Sequence, residues 1–198
     1  MDIQSTKTLG GVGALLMVIS PFLAVYSAVL GLVGLILVLI AMKGLSDHYN
    51  ESGIFNNALY GVFSAIVGIV VFGIAVFLTL LDFFRSIGLE LSTAWSDPAA
   101  ISSIHFEEVF VLDTLITHAI ALLGSLVILF IFVVVAAIFF RKSLSVLARK
   151  TGIGLFGTTG LILLIGAVLT IVAIGFLLLW VALILLAVAF FSMRTEHA

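Results

Sequence analysis

The residues of this chain that could do chemistry gather in two places. The first is the segment from Asp82 to His118, which carries His105, Glu107, Glu108, Asp113 and His118. His105 and Glu108 stand three apart, so on a helix they share a face. Such a pair could ligate Zn²⁺ if imidazoles converge, or a harder cation if carboxylates dominate. One His-x-x-Glu also arises often by chance, and the plainer reading is a solvated acidic face at the level of lipid headgroups. Asp113, Thr114, Thr117 and His118 read either as a polar entry vestibule or, more simply, as a helix end dissolving into the interface. The carboxylates have no nucleophile or oxyanion-stabilising group beside them, so no catalytic residue is assigned and no cofactor is implied. The second place is Arg141, Lys142, Arg149 and Lys150. Four cations near a membrane surface attract anionic lipid headgroups, at about 1 kcal/mol each. They also hold topology, because Lys and Arg stay on the cytoplasmic side. They are too few for a nucleic-acid-binding face.

The elements that carry these residues follow from composition. Of 198 residues 64% are hydrophobic and 9% charged, where a water-soluble domain has about 25% charged. Lipid is therefore the expected solvent. The apolar runs are continuous rather than alternating, which excludes a membrane β-barrel and leaves helices. The absence of cysteine removes disulfides, thiolate nucleophiles and Cys-held metal centres. No cleavable signal peptide is read at the N-terminus. None of the apolar runs contains Asp, Glu, Lys, Arg or His, the usual marks of proton relays and ion paths.

The expected fold is all-α, a polytopic transmembrane bundle of six hydrophobic helices in three hairpins forming one domain over residues 1–198. The N-terminal hairpin covers 1–43, with a turn near Ser20–Leu23 set by Pro21. Its first helix, near Ser5 to Ser20, is about 24 Å long against a hydrocarbon core of about 30 Å. It therefore thins the bilayer locally, tilts little, or enters only partway as a re-entrant segment. A central pair of spans covers 54–140 and is joined by an outer loop, 82–118. The C-terminal hairpin covers 153–193. The 44–53 and 141–152 stretches are expected as loops on the side of both termini. That side holds Lys7, Lys43, Arg141, Lys142, Arg149, Lys150 and Arg194, while Arg85 stands alone on the other. The asymmetry makes both termini cytoplasmic in a multi-pass protein of the cell membrane. Small residues at Gly10 and Ala14, Gly61 and Ala65, and Gly157 and Gly160 are expected to let helices approach closely.

Three stretches carry a resemblance: TLGGVGALLMVISPFL, GLVGLILVLIAMKGLSDHY, and RKSLSVLARKTGIGLFGTTGLILLIGAVLTIVAIGFLLLWVALILLAVAFFSM. Together they resemble a mainly archaeal integral membrane family known only as domain of unknown function 996. The resemblance spans essentially the whole chain and is strongest from Phe140 onward. It implies an archaeal source and a membrane location. It implies no activity and no catalytic residue.

The expected function is non-enzymatic: a scaffold, accessory subunit or assembly factor that works by helix packing. Its partners would be membrane lipids and either a second copy of itself or another membrane protein, with no nucleic acid. The alternative is a transporter or channel for lipid-like or small neutral solutes, with its path along the glycine-rich faces of the first and fifth helices. A membrane enzyme acting through the 82–118 loop is the third class.

Overall fold

The computed structural model describes residues 2–86 and 112–193, with side chains for 2–86 and 115–193. The described residues are all-α. The elements in order are α1 (Ile3–Ile19), a 3-10 turn (Ser20–Tyr26), α2 (Ser27–His48), α3 (Ser52–Ser86), α4 (Leu112–Thr151), α5 (Gly154–Leu169), a second 3-10 turn (Thr170–Val172) and α6 (Ile174–Phe191). Among the described residues five segments are long and apolar enough to cross a membrane: Ile3–His48, Ser52–Ser86, Leu115–Thr151, Gly154–Val172 and Ile174–Phe191. The first of these contains both α1 and α2. The chain breaks between them at Leu23 and Ala24, whose φ/ψ of −104°/22° and 36°/−94° are not helical.

Two expected loops are helix instead. α2 runs on to His48 and α3 starts at Ser52, so the 44–53 loop shrinks to Tyr49–Glu51. α4 continues through Arg141, Lys142, Arg149 and Lys150 to Thr151. The reason is burial on one side. Beyond the last residues of the apolar runs, Met42 and Phe140, the helices become amphipathic. Leu45, Ser46, Ser143, Leu144 and Leu147 are buried, while Lys43, Asp47, Arg141, Lys142, Arg149 and Lys150 are exposed. Packing therefore extends the helices past the point where hydropathy falls, as amphipathic helices generally gain stability from their apolar face. The helix α4 ends where Gly152 takes φ 71° and the Ile153 amide donates to Thr151 Oγ1 at 3.3 Å.

The chain divides into two compact units: Met1–Ala65 with Val133–Ala198, and Ile66–Phe132. In the first, α1 lies against α2 and α6. A Cβ on Gly13 would stand 2.7 Å from the Gly34 carbonyl oxygen, and one on Gly11 would stand 2.5 Å from the Phe191 ring. The core sits toward the end that carries the basic residues. It joins Met42 and Leu45 of α2, Ile54 and Ala58 of α3, Leu144 and Leu147 of α4, Phe156 of α5 and Phe190 of α6. The rings of Phe156 and Phe190 meet edge to face at 5.3 Å. The fully buried Ser143 hydroxyl donates to the Ile54 carbonyl. Lys7 Nζ donates to the Met193 carbonyl at 2.6 Å, a cation just beyond the C-terminal end of α6.

The two 3-10 turns are apolar. Val25 is 87% exposed and Ile171 75% exposed. In water such tips would be a liability; in lipid they need only that the backbone be satisfied from within. The end of α1 meets that condition. The Ser20 amide donates to Leu16 O, the Ser20 hydroxyl to Met17 O at 3.0 Å, and the Trp180 indole N–H to Val18 O at 3.0 Å. At the end of α5 the Thr170 hydroxyl donates to Ala167 O at 2.7 Å. Trp180 thus ties α6 to α1.

In the second unit α3 and α4 pack along each other. The Phe132 side chain fills the notch at Gly68, where a Cβ would come within 2.5 Å of it.

Candidate functional site

The cations of the Lys43 to Lys150 end fall into two groups. Lys43 Nζ pairs with Asp47 at 2.6 Å, one helical turn on, and lies 5.6 Å from the centre of the Phe55 ring. Lys150 Nζ stands 3.2 Å from Glu51, fastening the α2–α3 turn to the end of α4. These two have their carboxylates. Among the described residues Arg141, Lys142 and Arg149 form no ion pair with a carboxylate. Lys142 Nζ lies 5.6 Å from the centre of the Phe139 ring. Arg141, Ser145 and Arg149 recur at intervals of four, so they share one face of α4.

That face borders a cavity of about 400 Å³ lined by Asn57 of α3, Ile138, Arg141, Lys142, Ser145, Val146 and Arg149 of α4, and Leu164 of α5. Asn57 Nδ2 donates to the Gly53 carbonyl at 2.7 Å, which fixes the amide and leaves its oxygen available. The two helices that frame the cavity approach closely beside it. A Cβ on Gly160 of α5 would lie 3.2 Å from Arg141 Cα and 3.3 Å from Leu144 Cβ, and one on Gly157 would lie 3.6 Å from Ala148 Cβ. A second cavity, about 340 Å³, lies between α2 and Phe55 and contains the paired Lys43 and Asp47. Just past the end of α2, burial raises the Tyr49 hydroxyl above its usual pKa, so it stays neutral well beyond neutral pH.

In the second unit His118 Nε2 stands 3.6 Å from Asp82 Oδ2, with the Phe83 ring edge-on to the imidazole at 5.3 Å. His118 also borders a cavity of about 200 Å³ with Thr79, Phe83 and Leu122. The proposed cation ligands His105 and Glu108, with Glu107, lie outside the described residues, as do the side chains of Asp113 and Thr114. Among the described residues no three His, Asp or Glu side chains come together.

Of the small-residue positions, Gly10 meets the Phe190 ring and Ala14 is fully buried. Gly61 faces Phe140 and the Ala136 carbonyl, while Ala65 is half-buried. Asn57, Ser145 and Leu164 were not singled out in the sequence. Ser145 was findable from its four-residue spacing to Arg141 and Arg149 once α4 was known to continue. Asn57 and Leu164 come from other helices, and no sequence signal places them there.

An uncharacterized protein of Methanocaldococcus jannaschii is similar to this chain, at 28% identity over 198 residues that cover 99% of this chain and 96% of the relative. No solved structure matches it. The family described as Protein of unknown function (DUF996) matches residues 30–184, and the chain belongs to that family.

Proposed function

We propose that this protein is a non-enzymatic multi-pass component of an archaeal cell membrane, a scaffold, accessory subunit or assembly factor that acts by packing its helices onto a partner. The partner is a second copy or another membrane protein. In this reading α1 with α2, α3 with α4, and α5 with α6 make six crossings in three hairpins. Both termini and the Arg141–Lys150 segment are cytoplasmic.

The observation that carries the reading is how the glycines are used. Gly10, Gly11, Gly13, Gly34, Gly61 and Gly68 each abut a neighbouring helix, so a methyl group there would collide. Gly73 of α3 and Gly124 of α4 have nothing within 4 Å of a built Cβ and are exposed. Around them Ile69, Phe77, Ile120 and Leu123 are all exposed. Helices associate in lipid mainly through close packing at small residues, so open notches of this kind suit a partner helix. The uncharged apolar runs support the same reading, because they supply no proton or ion relay. A solute path along α1 and α5 loses support: the rings of Phe190 and Phe191 fill the glycine face of α1, and α4 lies against Gly160.

The test is the mass of the particle extracted in native lipid without detergent. The expected result is an oligomer or a complex with a reproducible partner. Gly73→Leu and Gly124→Leu should shift it toward the protomer, while the protein keeps its helicity. A wild-type particle containing one protomer and no other protein would overturn the proposal.

A further inference from the structure

We infer that the cavity between α4, Asn57 and Leu164 binds the phosphate-bearing headgroup of an anionic lipid, with the upper part of an acyl chain at its apolar end. The inference rests on the membrane location and is independent of the scaffold reading.

The chemistry begins with the charges. Arg141, Lys142 and Arg149 line the cavity, and no described carboxylate neutralises them. Nearby Lys43 and Lys150 are already matched by Asp47 and Glu51. At the basic end, the described cations of α2 to α5 without a carboxylate therefore stand on one wall; Lys7 of α1 is held instead by the Met193 carbonyl. Guanidinium groups present paired N–H donors that fit phosphate oxygens, and Ser145 adds a hydroxyl on the same face. The volume of about 400 Å³ lies in the usual range of small-molecule sites, about 300–1,000 Å³.

The shape of the polarity says which phosphate. Along α4 the lining runs from Ile138, inside the apolar run, to Arg149, in the amphipathic end. That is about 16 Å of helix axis. Leu164 closes the apolar end from α5. The cavity thus straddles the point at Phe140–Arg141 where the chain passes from apolar to charged. A free phosphate would use only the cationic half. A phospholipid uses both: its chain lies beside Ile138 and Leu164, and its headgroup lies among Arg141, Lys142, Ser145 and Arg149. Arginines whose charge is not cancelled locally also reinforce cytoplasmic retention, so the site and the topology signal are the same residues.

The adjacent residues Arg149 and Lys150 provide the test, because they carry the same charge but only Arg149 lines the cavity. The measurement is native mass spectrometry of the purified full chain, titrated separately with a phosphatidylglycerol, a phosphatidylcholine of the same chains, and inorganic phosphate. The wild type should retain phosphatidylglycerol at least tenfold more tightly than phosphatidylcholine. Arg149→Gln should lose about fivefold of that affinity and Arg141→Gln a similar factor, as expected for one cation each. Lys150→Gln should lose less than twofold. Leu164→Trp, which fills the apolar end without changing charge, should weaken phosphatidylglycerol binding and leave the response to phosphate unchanged. Equal losses for Arg149→Gln and Lys150→Gln would mean diffuse surface attraction and would overturn the site. Binding of inorganic phosphate with no preference for phosphatidylglycerol would overturn the lipid as its occupant.

Discussion

Gly13 and Gly34 hold α1 and α2 at a separation that no other side chain permits. A methyl group on Gly13 would stand 2.7 Å from the Gly34 carbonyl oxygen and 2.9 Å from the Val38 nitrogen, both backbone atoms that cannot turn aside. Gly13→Ala should therefore destabilise the protein by about 1–3 kcal/mol, the usual cost of overpacking. In the detergent-dispersed protomer, with no partner helix seated there, Gly73→Ala has open space and should stabilise by about 0.5–1 kcal/mol, because glycine inside a helix is the poorer residue. Thermal unfolding of both variants in one detergent checks the pair; a Gly13→Ala variant as stable as Gly73→Ala would refute the close approach. At Ala24 the logic reverses. Its φ of 36° is a conformation L side chains avoid, at a cost of about 1–2 kcal/mol. Ala24→Gly should accordingly leave stability unchanged or raise it. The same exchange at Ala121, exposed within α4, should lower it by about 0.5–1 kcal/mol.

The apolar turns raise a question of supply, since a helix end in hydrocarbon must find donors for its last carbonyls without water. α1 takes them from Ser20 and, at long range, from the indole of Trp180 on α6. Trp180→Phe keeps a ring that can still meet Phe22, whose centroid lies 5.8 Å from that of Trp180, but it removes the donor to Val18 O. The lost hydrogen bond should cost about 0.5–1.5 kcal/mol, read as a lowered unfolding temperature with helicity intact. A Trp180→Phe protein as stable as wild type would show that the indole only fills space. This partnership could not be read in advance, because Trp near a turn usually signals an interfacial anchor. The turn itself was legible to within a few residues, since Pro21 removes a backbone donor and the chain breaks just after it, at Leu23 and Ala24. The basic segment shows a different limit. A fall in hydropathy after Phe140 reports where lipid ends, not where helix ends. Ser143, Leu144 and Leu147, spaced one and then three apart between the cations, held the sign that α4 continues, and their buried face confirms it. The cavity that this continuation builds needs α3 and α5 as well, and hydropathy says nothing of which helix lies beside which.

At the scale of the whole molecule, charge enters the sequence after Met42 and Phe140, and there the helices continue with Leu45, Ser46, Ser143, Leu144 and Leu147 buried and the charged residues exposed. Composition and the continuity of the apolar runs were enough to give the all-helical class and helices apolar enough to cross a membrane. They gave no helix partners, because nearly every residue of the apolar runs is equally at home against lipid or protein. Which side the basic end faces rests on Lys7, Lys43, Arg141, Lys142, Arg149, Lys150 and Arg194 against Arg85. The chain contains no cysteine, so single cysteines can report this directly. Ser86 is the last residue of α3 and Arg149 lies two residues before the end of α4, and both positions are exposed. Ser86→Cys should react with a membrane-impermeant maleimide in intact cells. Arg149→Cys should react only once the membrane is opened. α3 spans 35 residues and α4 spans 40, about 52 Å and 60 Å of axis, each well over a core of about 30 Å. Both labels therefore sit clear of the hydrocarbon, and failure to react cannot be blamed on burial in lipid. Labelling of Arg149→Cys from outside intact cells would invert the topology and move the unpaired arginines to the outer leaflet.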